Sequence, residues 1–260
     1  MKNVTVIKLG GATFGKGDTT IADIAALQQR GESLVVVHGG GSAVTAWLKK
    51  QGVETRFVHG ERVTDLPALE VATAVLAGLA NKEIAAAINV SGGRAVGISG
   101  ADGALIEARQ KAKDMGYVGE TVRLNTALLT TLLGAGFVPV VAPISLYAVG
   151  RPDKAPALIN ANGDPVAGDI AAAMKATRLI FLTDVAGILD ESGKPIAELS
   201  AGEAEKLIKS GVIKGGMIPK VNAALRALEA GAVARIIDGR RRHALLAEFD
   251  GGDGGTTIHK

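Results

Sequence analysis

The 260-residue chain has no cysteine, which removes disulfide frameworks and thiolate metal sites from consideration. Aromatic residues make up only 3%. Side chains that could stack on unpaired bases are therefore nearly absent, and the core has to be built from Ala, Val, Leu and Ile. No large excess of one charge exists either: 29 Lys and Arg against 26 Asp and Glu leave a net charge of +3. The one dense basic run, Arg240-Arg241-Arg242, reads as a solvated helix start rather than a nucleic-acid patch. The N-terminal run 1–9 lacks the pattern of a signal peptide. The uncharged stretch 124–150 is cut by Gly134, Gly136, Pro139 and Pro143 into a helix and a short strand, each below the roughly 20 residues a membrane span needs. The expectation is a soluble, cytoplasmic protein with neither nucleic acid nor membrane as a partner.

What the chain does have is aliphatic residues and glycine, with 47% hydrophobic residues and 35 glycines, the latter without a regular period. Apolar, β-rich runs at 4–9, 34–37, 95–98, 138–141, 179–182, 234–237 and 256–258 read as strands. Helical spacing appears at 21–30, from the 39–41 turn to about 50, at 66–89, 126–133, 164–175 and 219–229, and Ser200 opens a further helix as a capping box with Glu203. Thr64 reads as the cap of the long helix, with Pro67 in its first turn. Segment 102–122 reads as hairpins. Alternating strands and helices predict an α/β fold, an open three-layer αβα sandwich around a mainly parallel sheet, with ligands at the carboxyl ends of the strands. The extended region 151–157, with Pro152 and Pro156, reads as a lobe boundary.

Those strand ends carry the chemistry. Lys8-Leu9-Gly10-Gly11 follows the first strand, and an ammonium beside glycine amides makes a phosphate site; the same residues also suit a lysine before a tight turn. Gly10, Gly15 and Lys16 match P-loop spacing, but Gly17 stands where Ser or Thr must hold Mg²⁺, so a P-loop is not expected. His38-Gly39-Gly40-Gly41 is a second glycine turn. It opens like a dinucleotide fingerprint, yet Val44 replaces the third small residue and no acidic residue follows at a strand end about twenty positions on. Two facing anion sites suit this pair of turns better than one dinucleotide, and His38 reads as orienting its own loop.

Arg62 precedes a helix; it can clamp a carboxylate through two parallel hydrogen bonds or simply lie at the surface. Asn160-Ala161-Asn162-Gly163-Asp164 either caps a helix or lets Asn160 and Asn162 bind a polar ligand while Asp164 fixes nearby lysines. Thr183-Asp184-Val185-Ala186-Gly187-Ile188 follows a strand of the C-terminal half, where an adenine nucleotide fits. Gly215-Gly216-Met217-Ile218-Pro219-Lys220 puts a lysine at a helix start, against the helix dipole, which calls for an anion nearby.

In this order, together with Ser99-Gly100-Ala101-Asp102-Gly103, Gly116-Tyr117-Val118-Gly119 and Gly255-Thr256-Thr257-Ile258, the motifs resemble the amino acid kinase family almost from end to end. The closest pattern within it is that of enzymes acting on N-acetyl-L-glutamate. The resemblance implies an acetylamino-acid-binding lobe at 1–157, also used for dimerisation, and an ATP-binding lobe at 158–260, with one continuous sheet. Lys8 and Lys220 are then the transition-state stabilisers, with Asp164 organising them. Gly40, Gly41, Arg62, Asn160 and Asn162 meet the substrate. Gly10, Gly11, Asp184, Val185, Gly187, Ile188, Leu189, Val212, Ile213 and Lys214 meet ATP, whose Mg²⁺ is held mainly by the nucleotide.

Gly163 and Pro165 depart from the family pattern, and Gly163 also occurs in a related kinase of carrier-bound aminoadipate. Gly41 and Gly60-Glu61-Arg62-Val63-Thr64 favour the acetylglutamate branch. A ligand sensor on the same fold has no need of both lysines and Asp164, and the broken fingerprint weighs against an NAD-dependent oxidoreductase. Only seven residues precede Lys8, without the N-terminal helix by which arginine-inhibited relatives form hexamers, so a homodimer insensitive to arginine is expected.

Overall fold

The computed structural model describes residues 3–10, 18–58, 61–252 and 254–260; Gly11 and the P-loop-like Gly15-Lys16-Gly17 lie outside them. In chain order come β1 (Val4–Leu9), α1 (Thr20–Gln29), β2 (Ser33–His38), α2 (Gly41–Lys50) and the short hairpin β3 (Phe57–Val58) and β4 (Glu61–Arg62). Next, α3 (Leu66–Ala72) runs through a π-helical stretch (Thr73–Ala80) into α4 (Asn81–Val90). Then follow β5 (Ala95–Ser99), β6 (Ile106–Gln110), β7 (Val118–Leu124), α5 (Ala127–Gly134), β8 (Val138–Ala142), β9 (Ile144–Val149) and β10 (Leu158–Ala161). The remainder is α6 (Gly163–Ala173), β11 (Arg178–Thr183), β12 (Glu198–Ser200), α7 (Ala201–Lys209), α8 (Met217–Glu229), β13 (Val233–Asp238), α9 (Ala244–Phe249) and β14 (Thr256–His259).

Among the described residues one eight-stranded sheet runs through both halves in the order β12-β14-β13-β11-β1-β2-β8-β5. From β13 to β5 every neighbour is parallel, and β14 turns antiparallel to β13. This is the expected mainly parallel sheet. Because side chains alternate along a strand, its two faces make separate cores. Val4, Val6, Val35, Val37, Leu179 and Phe181 pack against α6 and α8 through Val166, Ile170, Val221 and Ala224. Ile7, Leu9, Leu34, Val36, Ile180 and Leu182 pack against α1 and α4 through Ile24, Leu27, Ile84 and Ile88. Lys8 continues the Val4–Val6 row, so its side chain leaves the sheet on the α6 and α8 side.

Three features differ from the sequence reading. Strands β10, β7, β6 and β9 close into a small barrel, where only hairpins and an extended boundary were expected. Strands β6 and β7 mix charge or glycine with their apolar residues and β10 has only four residues, so the barrel has no clear signal until the four are assembled. The helix cap is Asp65, whose side chain accepts from the Ala68 N–H at 2.9 Å; Thr64 is buried and exchanges backbone bonds with Met115 and Tyr117 instead. Lastly, the span Leu66–Val90 is long and apolar enough to cross a membrane by length and composition. One side of it goes into packing, Ala68, Val71, Ala72, Val75 and Leu76 against Val44, Leu48 and Ile144, and Ile84 and Ile88 against the sheet, while Leu66, Leu79 and Val90 stay exposed.

Candidate active site

The centre of the site is built by two parallel helices that start at the carboxyl edge of the sheet. Gly168 of α6 lies against Ala223 of α8, so closely that a Cβ on Gly168 would come within 2.6 Å of the Ala223 carbonyl. One turn earlier on both helices, Lys220 Nζ donates to Asp164 Oδ2 at 2.8 Å; further along, Arg226 pairs with Asp169. The three contacts step along the helices in the same direction, so both N-termini, with their positive dipole ends, face the same space. Lys8 reaches Asp164 Oδ1 from the end of β1. Two lysines from opposite ends of the chain thus hold the two oxygens of one carboxylate. The anion that the misplaced-looking Lys220 calls for is, in this structure, Asp164.

Asp164 is 5% exposed and Lys8 7%. Burial pushes the Asp164 carboxyl up, but Lys8 and Lys220 overcome that effect and hold it below the ordinary carboxylate range. Burial pulls Lys8 below the ordinary ammonium range, with Asp164 opposing the shift. Asn162 caps α6 by accepting the Asp164 N–H at 3.0 Å, and Pro165 sits in the first turn, where a missing N–H costs nothing. Gly163 leaves room for Lys8: a Cβ there would stand 3.2 Å from the His38 carbonyl and 3.3 Å from Lys8 Cε.

A cavity of about 250 Å³ opens beside Lys8, walled by Gly40, Gly41, Arg62, Asn160, Asn162 and Gly163 among others. Gly40 has φ +154°, and a Cβ on it would strike Leu76 at 2.7 Å. Arg62 is 9% exposed. Its Nη2 donates to the Gly41 carbonyl at 2.9 Å and to Thr45 Oγ1 at 2.7 Å, and Phe57 stacks over the guanidinium at 4.7 Å. Arg62 Nη1 is buried without a hydrogen-bond partner among the described residues, a cost that an anionic ligand would relieve. Asn160 donates to Thr64 Oγ1 at 3.4 Å. Beneath the glycine turn His38 is buried, and burial lowers its pKa to about 4. The neutral ring donates from Nδ1 to the Gly39 carbonyl at 2.8 Å, which leaves Nε2 to accept from Asn81 at 3.2 Å. His38 therefore supports its own loop, as its position in the sequence implies.

A second cavity, about 670 Å³, is lined by Val185, Gly187, Ile188, Leu189, Val212, Ile213 and Lys214 together with Met217 at the start of α8. These are the nucleotide-binding candidates, gathered from two loops. Asp184 does not line it; that residue is exposed and lies within electrostatic reach of Arg240. The Gly10 N–H donates to the Leu182 carbonyl at 3.2 Å, and a Cβ on Gly10 would meet that oxygen at 2.9 Å, so this glycine serves the close approach of two strand ends. Sequence reasoning did not single out Thr45, Phe57, Gly168 or Glu61 as site residues. Of these only Glu61 carries a signal, as a charged residue directly beside Arg62.

Charge neutralisation from two amines and two helix N-termini, between a small pocket and a larger cavity, is what phosphoryl transfer requires of a protein. The chain belongs to the amino acid kinase family, whose model matches residues 3–238. Its curated relatives include the acetylglutamate kinase of Dehalococcoides mccartyi (strain CBDB1), 49% identical over 98% of this chain and 94% of that protein. Another is the acetylglutamate kinase of Acidiphilium cryptum (strain JF-5), 45% identical over 98% of this chain and 89% of that protein. Among solved structures, smu.665 from Streptococcus mutans UA159 matches with a TM-score of 0.83 at 26% identity, over 100% of this chain and 99% of the other.

Proposed function

We propose that the protein transfers the γ-phosphoryl group of MgATP to the γ-carboxylate of N-acetyl-L-glutamate, yielding N-acetyl-L-glutamyl 5-phosphate and ADP, a step of arginine biosynthesis. The observation that carries this reading is Asp164 bridging Lys8 and Lys220 next to a pocket in which Arg62 keeps a buried N–H without a partner among the described residues. The names of the curated relatives support the choice of acceptor.

A glutamate carboxyl, with a pKa of about 4.3, is already ionised at pH 7 and needs no general base. The barrier is the approach of one anion to another, so catalysis consists of positioning and charge neutralisation. In this reading Arg62 grips the α-carboxylate, the unreactive end, and the γ-carboxylate points toward Lys8. The triphosphate extends from the larger cavity past Lys214 and the N-terminus of α8 to Lys220. Lys8 and Lys220 stabilise the equatorial oxygens of the transferring group, and Asp164 holds both at the required spacing. Bound to the nucleotide phosphates, Mg²⁺ would supply further charge neutralisation there. The packing of one side of the helix Leu66–Val90 against α2 and the sheet supports a soluble enzyme.

A coupled ADP-release assay across N-acetyl-L-glutamate, free glutamate and carrier-linked aminoadipate tests the proposal. ADP release is expected with the acetylated acid far above the others. Preference for the carrier-linked acid, or no release with any acceptor, would refute it.

A further inference from the structure

Glu61 lies on β4 immediately before Arg62, and its side chain makes two contacts of its own. One carboxylate oxygen pairs with Lys111, which follows β6. The other accepts from Asn162 Nδ2 at 3.2 Å. The Glu61 side chain is only 17% exposed, against 43% for Lys111. Asn162 is the cap of α6, with its own oxygen taken up by the Asp164 N–H. A continuous polar chain therefore runs from Lys111 through Glu61 and Asn162 to the backbone of Asp164, the residue that holds Lys8 and Lys220. Glu61 and Asn162 also line both the 250 Å³ pocket and a neighbouring cavity of about 470 Å³, so their contact is part of the partition between the two.

The short hairpin β3–β4 is held at its base, where Arg56 donates to the Asp114 carbonyl at 3.1 Å and Thr64 pairs with Met115 and Tyr117, and through Arg62 itself; Glu61 supplies its tie to the cap of α6. Among the described residues its two strands pair only with each other, and Phe57 is largely exposed. Yet it carries Arg62, whose useful N–H must face the ligand at a fixed distance from the lysines. A misplacement of about 1 Å matters for transfer between bound groups, so a contact that joins this two-residue strand directly to the α6 cap bears on the chemistry.

We propose that Glu61 is a positioning residue: bridging Lys111 and Asn162, it ties the Arg62-bearing hairpin to the α6 cap and sets the acceptor carboxylates in register with the Lys8–Asp164–Lys220 cluster. This rests on the function proposed above as far as kinetics are concerned, but not for its effect on the hairpin itself. Glu61 touches no reacting atom; it acts through Arg62 on one side and Asn162 on the other.

The test uses the full-length protein with Lys111→Met, which removes only the ion pair at an exposed position, Glu61→Gln, which keeps an acceptor for Asn162, and Lys111→Arg as the conservative control. Lys111→Met and Glu61→Gln should each raise the KM for N-acetyl-L-glutamate about two- to fivefold, the range of a partly exposed ion pair, with the KM for ATP unchanged and Lys111→Arg close to wild type. The double variant should be no worse than the weaker single one. In parallel, amide hydrogen exchange at Phe57, Val58 and Arg62 without any ligand should speed up in Lys111→Met by a similar factor. That readout stands even if no acceptor releases ADP, so failure of the functional reading and failure of the tie can be told apart. Unchanged exchange at the hairpin in both Lys111→Met and Glu61→Gln would overturn the assignment, as would additive effects in the double variant.

Discussion

The two cavities flanking the lysine cluster are built on different principles. In the smaller one the polar groups are side chains held by other side chains: Arg62 by Thr45 and Phe57, Asn160 by Thr64, Asn162 by Glu61. In the larger one the walls are loops that satisfy themselves. Asp190 accepts from the Ser192 and Lys194 backbone, Gly187 passes close to Thr256, and Ile188 and Ile213 bury their side chains in the core. On the proposed function the contrast follows from what each must recognise. A small acid is told from its analogues by a few directed charges, whereas a nucleotide presents a broad ring and a phosphate tail that backbone and apolar surface can accommodate. The acceptor end should therefore be brittle to single substitutions and the donor end tolerant.

The largest effect belongs to neither cavity but to the cluster they share. Lys8→Met and Lys220→Met should each lower kcat by about 10²–10³ with a modest change in the KM for ATP. The wild-type kcat/KM, which reports the free enzyme, should fall on the alkaline side before the ~10.4 of a free lysine, because burial pulls Lys8 down. Asp164→Asn removes the charge that raises it, so the alkaline limb should move to lower pH. A profile flat to pH 10 in both proteins would contradict the role given to Lys8.

The acceptor side depends next on a neutral His38. With a folded pKa of about 4 against roughly 6.5 unfolded, the unfolded chain binds the extra proton between these values, so stability falls as the pH drops through that window. The loss amounts to about 3 kcal/mol at most. Urea unfolding at a series of pH values should show that slope in the wild type and lack this part of it in His38→Asn. Equal slopes would mean that His38 is not held neutral.

Arg62→Ala should raise the KM for N-acetyl-L-glutamate by about 10- to 100-fold, as expected for a lost charged hydrogen bond, and leave the KM for ATP alone; a rise for ATP instead would invert the two cavities. The smallest effect is expected from Leu189→Ala, a partly exposed wall of the larger cavity. A rise in the KM for ATP of about two- to fivefold, from the loss of some apolar contact, would fit the tolerant character of that side, and a collapse of activity would break the contrast.

The same difference governs how much could be read from the sequence. Lys8, Arg62, Asp164 and Lys220 are charged residues at strand ends and helix starts, where a buried charge has to have a reason, and the strand–helix alternation that positions them is plain. The residues of the larger cavity carry little chemistry of their own; Val212, Ile213 and Leu189 could be named only through resemblance to a family. The barrel of β6, β7, β9 and β10 stayed hidden because its pairings are non-local. So did the contact of Gly168 with Ala223, since a glycine inside an Ala-rich helix does not reveal which helix lies against it. The tie through Glu61 joins positions 61, 111 and 162, which no local pattern connects.

The central claim is that one aspartate presents two amines to a phosphate placed between the cavities, and an experimental structure with N-acetyl-L-glutamate, Mg²⁺ and a non-hydrolysable ATP analogue tests it most directly. The account predicts the Nζ atoms of Lys8 and Lys220 within about 3 Å of the terminal phosphate oxygens, with the unreactive carboxylate on Arg62 Nη1. A terminal phosphate bound away from both lysines, or an acid lying outside the pocket of Arg62, would contradict it.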